Sequence, residues 1–173
     1  MARNITLALS ILTVIGNLMI VAYILSLIFF RGKKPKYLKF LNKNVLIASF
    51  IITAFATLGS LYFSEVLHYD PCKLCWYQRI LMYPQFLLLG IALWNKNSKY
   101  IKILVPLSFL GAIVAGLHYF SQISKTSVLG CSAIGYSASC SENFFLTFGY
   151  ITIPMMALTA FLLLIMFWHN SRN

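Results

Sequence analysis

Five stretches of the chain contain no Lys, Arg, Asp or Glu and consist mainly of apolar side chains. They cover residues 4–30, 44–64, 80–95, 103–124 and 143–171. A helix needs about 20 mainly apolar residues to cross the hydrocarbon core of a bilayer. Four of these stretches reach that length, and the stretch at 80–95 reaches it only if residues 76–79 belong to the same helix. The pattern therefore predicts five membrane-spanning helices.

The composition agrees with a chain that is embedded in a membrane. The 173 residues are 60% hydrophobic and 10% charged, whereas soluble globular domains carry about 25% charged residues. The first apolar stretch is longer than the roughly 7–15 residues of a signal-peptide core, and its positive charge follows it. We therefore expect this stretch to be retained as a span. We predict an all-α integral membrane protein with no soluble domain.

The net charge of +11 is divided unevenly between the two sides of the predicted bundle. If the spans alternate in direction, ten of the 14 Lys and Arg residues fall on one side. Because Lys and Arg are enriched in cytoplasmic loops, this side and the C-terminus are expected inside the cell and the N-terminus outside. The bias explains the charge without a nucleic-acid partner. The ten residues are Arg31, Lys33, Lys34, Lys36, Lys39, Lys43, Lys96, Lys99, Lys102 and Arg172.

All four cysteines fall in the two loops on the opposite, extracytoplasmic side. Cys72 and Cys75 lie between the second and third spans, and Cys131 and Cys140 lie between the fourth and fifth. Disulfides persist in that compartment. The cysteines could form two structural disulfides, a zinc site, or one redox pair in each loop. A Cys-x-x-Cys bridge closes too short a loop to stabilise much. The wide second spacing, with no histidine in a ligand pattern, disfavours zinc, so redox exchange is preferred.

The residues around the Cys-x-x-Cys pair suit thiol chemistry. Asp70 is expected to be the N-cap of the third helix, with Pro71 at its first position. Cys72 and Cys75 then lie in its first turn, where the helix dipole stabilises a thiolate. Arg79 follows Cys75 by four residues and shares its face of the helix. An ionisable group within a span indicates function, although Arg79 could instead extend outward to lipid headgroups.

A cation beside a thiolate at a membrane surface suits a lipid-soluble oxidant such as a quinone. The ring carbonyls of a quinone accept hydrogen bonds from a guanidinium, and Arg79 would stabilise the negative charge that reduction places on the ring. In the second loop, Ser141 is expected to be the N-cap of the fifth helix. Cys140 would then lie beside a helix N-terminus and be the leaving group when Cys131 is attacked.

The segment PCKLCWYQRILMYP resembles the signature of the disulfide-bond-formation protein B family, DsbB, and most closely its BdbC branch. GLHYF at 116–120 and CSENFFLTFGYITIPMMALTAF at 140–161 also resemble the family, and the likeness covers residues 45–167. It implies a four-helix oxidase of the bacterial cytoplasmic membrane. Such an oxidase oxidises a DsbA-like thioredoxin-fold carrier outside the cytoplasm and passes the electrons to a membrane quinone. Cys131 and Cys140 would form the disulfide that faces the carrier.

The resemblance also implies roles for the residues of the first loop. Cys72 and Cys75 would be the pair next to the quinone, with Cys75 facing it and Arg79 orienting it. His118 falls where the family has a histidine near the end of the next span, so it is expected to contact the quinone. The quinone would be menaquinone or ubiquinone, and no metal is expected.

Two features depart from the family pattern. Residues 1–43 are expected to form an extra N-terminal transmembrane helix and a basic cytoplasmic loop before the DsbB-like domain at 44–173. The second extracytoplasmic loop is also short. Two other functions stay open. One is an oxidoreductase similar to vitamin K epoxide reductase, in which the loop cysteine pair precedes the Cys-x-x-Cys. The other is a non-enzymatic scaffold with two structural disulfides.

Overall fold

The computed structural model describes residues 2–29, 44–95, 101–125, 139–141 and 143–172. The predicted all-α fold is confirmed, because these ranges contain five α-helices and no strand. The helices are α1 (Ala2–Phe29), α2 (Val45–Leu61), α3 (Lys73–Trp94), α4 (Ile101–Ser124) and α5 (Ile153–Arg172), and α2 continues into a π-helical turn at Tyr62–Val66.

The helices have the lengths that a bilayer requires. Four of those described are long and apolar enough to cross a membrane, at Arg3–Phe29, Val45–Val66, Ile103–Ser124 and Ile153–Ser171. The remaining helix, α3, has 22 residues. It is less apolar than the others because it contains Gln78, Arg79 and Gln85. Residues 76–79 belong to the same helix as residues 80–94, as the pattern required. The chain is an integral membrane protein built from helices.

Four of the helices form a closed ring, and the first lies outside it. Each of α2, α3 and α4 packs on the next helix in the chain, and α5 packs back on α2, whereas α1 packs on α5. Met82, Ala115 and Phe161 meet in the centre of the ring. Gly111 of α4 permits this contact, because a Cβ there would overlap the ring of Phe161. A buried polar contact joins α4 to α3 within the ring, where Ser108 Oγ donates to Gln85 Oε1 at 2.8 Å.

The third helix begins two residues later than predicted. Its N-cap is Cys72, whose sulfur accepts a hydrogen bond from the backbone N–H of Cys75 at 3.4 Å. Asp70 is therefore not the cap, and Pro71 lies before the helix. The physical reason is that the sulfur itself satisfies a free N–H group of the first turn, which is the role expected of an Asp oxygen.

The fifth helix also begins later than predicted, at Ile153, so Ser141 is not its N-cap. Residues 143–152 are apolar and uncharged, yet they are not helical. Phe148 and Gly149 have positive φ angles of 53° and 80°, and Thr147 pairs with Ile151 in an antiparallel bridge. This turn interrupts the chain before Pro154, which stands in the first helical turn, where its missing N–H costs nothing.

Candidate active site

The site lies at the end of the bundle that carries Cys72, Cys75 and Cys140, which we call the cysteine end. The π-helical turn after α2, the start of α3, the last turns of α4 and the segment before α5 meet there. Cys72 and Cys75 are free thiols, whereas Cys140 is disulfide-bonded. Cys131 lies outside the described residues.

Cys72 is enclosed by groups that can stabilise a negative charge on its sulfur. It is 3% exposed. Its Sγ lies 3.3 Å from the Sγ of Cys75 in a thiol–thiol hydrogen bond, and 3.4 Å from Nε2 of His118. The hydrogen bond with the Cys75 thiol, assisted by His118, lowers the pKa of Cys72 to about 4, although burial opposes the charged form. These contacts favour the thiolate form of Cys72 when the pair is reduced.

His118 is fixed in a tautomer that suits this role. The side-chain amide nitrogen of Gln78 lies 2.9 Å from Nδ1 of His118. An amide nitrogen only donates, so Nδ1 accepts in this contact, and Nε2, the atom next to Cys72, carries a ring proton. His118 is 2% exposed and Gln78 is 6% exposed. Both contacts are buried, so the imidazole is held beside the sulfur.

Cys140 lies beside Cys72. The sulfurs of Cys72 and Cys140 and a ring nitrogen of His118 all lie within 4.8 Å of one another. Cys140 is fully buried. Three such groups could in principle hold a metal ion, but a sulfur in a disulfide is not a thiolate ligand. In this state the cluster is arranged for sulfur–sulfur exchange.

Aromatic rings hold the two cysteine-bearing segments together. The ring of Tyr69, which precedes the Cys-x-x-Cys, stacks on the ring of Phe144, which follows Cys140. Their centroids are 4.6 Å apart and their planes 10° apart. Phe63 extends the cluster by stacking on Tyr69 at 6.2 Å and contacting Phe145 at 5.4 Å. We call these four residues the aromatic clamp. Stacked aromatic pairs are worth about 0.5–1.5 kcal/mol beyond their burial, so the clamp stabilises the approach of Cys140 to Cys72.

Cys75 differs from Cys72 in facing a cavity. This cavity has a volume of about 460 Å³, and Cys75, Arg79, Gln78 and Tyr83 line one end of it. Small-molecule sites in proteins span about 300–1,000 Å³. Most of the remaining lining is apolar and comes from α1, α2 and α5. His118 does not belong to this lining.

Arg79 is directed into the bundle and not out to the headgroup region. Its Nε donates to Oγ of Ser60 at 3.0 Å, and a terminal nitrogen donates to the Ser60 carbonyl at 3.1 Å. The hydroxyl of Tyr83 also donates to Oγ of Ser60, at 3.4 Å. The centroid of the Trp76 ring lies 5.4 Å from the guanidinium carbon of Arg79. Within the described part of the chain, hydrogen bonds occupy two of the five guanidinium N–H donors, which leaves donors for a ligand in the cavity.

A helical membrane bundle that joins a free dithiol to a disulfide-bonded cysteine defines a class of proteins, the membrane thiol–disulfide oxidoreductases. The family model described as "Disulfide bond formation protein DsbB" matches residues 42–170. The chain belongs to this family, as the resemblance of its motifs predicted. No solved structure gives a significant match.

Curated relatives from bacilli support the same assignment. Disulfide bond formation protein C of Bacillus subtilis (strain 168) is 46% identical over 125 residues, which cover 70% of this chain and 88% of the relative. Probable disulfide formation protein C 1 of Bacillus anthracis is 42% identical over 135 residues, covering 76% and 89%. The SPbeta prophage-derived disulfide bond formation protein B of Bacillus subtilis (strain 168) is 38% identical over 122 residues, covering 70% and 81%. The protein is thus a membrane protein of disulfide bond formation.

Sequence reasoning found part of this site and missed the partners that come from other helices. It placed Cys72, Cys75 and Arg79 on one short stretch, which the structure shows. It did not find Ser60 as the partner of Arg79 or Gln78 as the partner of His118. The sequence could have indicated a role for Gln78, because an amide within an apolar helix is buried and needs a hydrogen-bond partner.

Proposed function

We propose that this protein oxidises an extracytoplasmic thioredoxin-fold carrier of DsbA type and passes the electrons to a membrane quinone. One observation carries the proposal. The two sulfurs of a single Cys-x-x-Cys pair have different neighbours: Cys72 lies beside Cys140, and Cys75 lines a cavity with Arg79. This arrangement supports electron flow from a disulfide on one side to a lipid-soluble acceptor on the other.

The exchange steps follow from the positions of the sulfurs. A carrier thiolate attacks Cys131, forms a mixed disulfide and releases Cys140 as a thiolate. When Cys72 and Cys75 are joined as a disulfide, Cys140 attacks Cys72, which breaks that bond, forms a Cys72–Cys140 disulfide and releases Cys75 as a thiolate. The second carrier thiol then displaces Cys131, and oxidised carrier leaves. Cys131 attacks Cys140, which restores their disulfide and leaves Cys72 and Cys75 as a dithiol.

The lowered pKa of Cys72 fits its place in this sequence. In the last exchange step Cys72 is the leaving group, and a thiol of low pKa leaves faster. His118 is held at 3.4 Å from this sulfur, so we assign it the stabilisation of the departing thiolate. Its predicted contact with a quinone stays a prediction.

The cavity at Cys75 suits a quinone. Arg79 supplies donors for a ring carbonyl at the polar end, and apolar side chains form most of the remainder. A bound quinone would accept the two electrons and two protons that the Cys72–Cys75 dithiol gives up when it becomes a disulfide. The chain's part is to place Cys75 at this end, to hold Arg79 through Ser60, and to exclude water with apolar walls.

The side of the membrane follows from charge. Eight of the ten basic residues fall in the segments that join α1 to α2 and α3 to α4, Lys102 lies at the start of α4, and Arg172 ends α5. Cys72, Cys75 and Cys140 lie at the other end of the bundle. The proposal therefore places the cysteine end outside the cytoplasm of a bacterial cell.

The test is a reconstituted assay. Purified protein in liposomes is supplied with a reduced thioredoxin-fold carrier and a quinone, and oxidised carrier and quinol are counted. We expect one carrier disulfide per quinol, and loss of both products in Cys75→Ala. Carrier oxidation that needs no quinone, or quinol formation that survives in Cys75→Ala, would contradict the proposal.

The alternatives have less support. A scaffold with two structural disulfides gives no role to the buried contact of Cys72 with His118 or to Arg79 beside Cys75 in the cavity. A protein similar to vitamin K epoxide reductase has the opposite order of its cysteine pairs, and the family match is to disulfide bond formation protein DsbB.

A further inference from the structure

Helix α1 lies outside the region that the family model matches, which begins at residue 42. It is nevertheless fixed to the bundle by specific contacts with α5. Oγ1 of Thr159 donates to Oδ1 of Asn17 at 2.8 Å, and the hydroxyl of Tyr23 lies 2.6 Å from Nδ1 of His169. Gly16 allows close approach of the two helices, since a Cβ there would lie 2.9 Å from the Thr159 methyl group. Small residues and hydrogen bonds are the usual means of helix association in membranes.

Helix α1 also touches α2 near the cysteine end. A Cβ on Gly59 would lie 3.3 Å from Cδ1 of Leu9. Beyond this contact the two helices bound the cavity, to which α1 contributes Leu12, Ile15 and Met19. The first helix is therefore one wall of the space that begins at Cys75 and Arg79.

The cavity is long as well as apolar. Its lining on α2 extends from Ala48 to Ser60, a rise of about 18 Å at ~1.5 Å per residue. On α5 the lining continues to Phe167, near the far end of the helix. An occupant that fills this space has a polar group at Arg79 and a long apolar chain that extends toward the opposite end of the bundle.

The charges at the polar end favour a neutral head group. Among the described residues that line the cavity, the ionised side chains are Asp70 and Arg79. Both line the same cavity, so the phosphate of a bilayer lipid would meet a carboxylate as well as the guanidinium. A quinone ring carries no charge and avoids this repulsion.

We propose that α1 is the wall of a tail chamber, in which the polyprenyl tail of the quinone lies between α1, α2 and α5. This inference rests on the proposed function. It assigns to the first helix the selection of quinones by tail length, because a short-tailed quinone reaches Arg79 without contacting Leu12 or Ile15, whereas a long tail lies along both.

The experiment compares adjacent residues of α1. Leu12 is 46% exposed and lines the cavity, whereas Ile11 is 50% exposed and does not. Leu12→Trp is expected to raise the KM for a long-tailed quinone about tenfold, the usual scale of overpacking. It should leave kcat, and the KM for the same ring with a methyl group in place of the tail, unchanged. Ile11→Trp should change neither KM. Ile15→Trp, with Leu18→Trp as its control, repeats the comparison one turn further along.

Cross-linking gives a readout that does not depend on turnover. A quinone with a diazirine at the end of its tail, photolysed on the full-length protein, should label peptides that contain residues 9–19. Excess long-tailed quinone should prevent the labelling, and Leu12→Trp should reduce it. A phospholipid with a diazirine on its acyl chain is the second probe. Labelling of the same peptides by this lipid, with no displacement by quinone, would assign the chamber to bilayer lipid and overturn the inference.

The outcomes distinguish failure of the tail chamber from failure of the proposed quinone reduction. If wild-type protein reduces neither quinone, the proposed function fails and the tail chamber fails with it. If both quinones are reduced, and Leu12→Trp and Ile15→Trp leave the tail-length dependence unchanged, the tail chamber alone is wrong.

Discussion

Cys72 and Cys75 are three residues apart, yet they belong to two different environments. Cys72 is buried beside His118 and Cys140, within a polar cluster closed by protein. Cys75 lines a mainly apolar cavity with Arg79. The two sulfurs touch, but Cys72 is the N-cap with extended backbone angles, whereas Cys75 lies within the first helical turn. Tertiary packing then places His118 and Cys140 beside Cys72 and the cavity beside Cys75. One dithiol can therefore exchange with a protein disulfide on one side and serve a membrane-soluble acceptor on the other.

Removal of one sulfur at a time should give the largest effect. Cys75→Ser should lower turnover at least about a thousandfold, as loss of a catalytic nucleophile does. It should also leave Cys72 free to attack Cys140, so that a Cys72–Cys140 disulfide accumulates as Cys131 is released. Peptide mapping without reductant would detect this bond. Cys72→Ser is the matched control and should form no bond between Cys75 and Cys140. If a Cys75–Cys140 bond forms in this variant, Cys72 and Cys75 do not have separate partners.

Substitution of the cation should have the next largest effect. Arg79→Ala removes a charged hydrogen bond worth roughly 1.5–3 kcal/mol, or about 10–150-fold in apparent quinone affinity. Arg79→Lys should rescue poorly, because lysine lacks the planar fork. Steady-state kinetics would give the KM for quinone. Disulfide exchange between Cys140 and Cys72 should persist in Arg79→Ala. If the KM for quinone is unchanged in this variant, Arg79 does not bind the quinone.

The pKa of Cys72 tests the environment of the dithiol beside His118 and Cys140. Its lowered pKa means that the thiolate is present above about pH 4 and is lost as pH falls through that value. Cys75→Ala should raise this pKa most, because the hydrogen bond with Cys75 is the largest cause of the shift. His118→Phe should raise it less. Ultraviolet thiolate absorbance of the reduced protein, followed against pH, would measure both changes. If His118→Phe changes the KM for quinone but not the pKa of Cys72, His118 contacts the quinone and does not stabilise the Cys72 thiolate.

The aromatic clamp should have the smallest effect. Phe144→Ala removes the stack on Tyr69, which is worth about 0.5–1.5 kcal/mol, so exchange between Cys140 and Cys72 should slow by about 2–10-fold. Rapid quenching with an alkylating reagent would follow the exchange. Leu146→Ala, a change of an exposed side chain in the same segment, is the control and should have no effect. Equal rates in both variants would show that the clamp does not position Cys140.

The sequence by itself determined the helices and the reactive stretch. Charge-free stretches predict membrane helices because an ionised group is costly in hydrocarbon, and the described helices follow them. Cys72, Cys75 and Arg79 form a local constellation, since a spacing of four residues on a helix fixes a common face. The same rule failed at residues 143–152. That segment is uncharged but not helical, and the absence of charge does not distinguish a helix from an apolar turn.

The tertiary structure alone decided which groups from different helices meet. His118 is 46 residues from Cys72 in the chain and 3.4 Å from it in space. Ser60 is 19 residues before Arg79 and binds its guanidinium. Thr159 is 142 residues from Asn17 and fixes α1 on α5. Such contacts depend on how helices cross and rotate against one another. A helical pattern specifies the face that a residue occupies, whereas the packing of the bundle selects the side chain that this face meets.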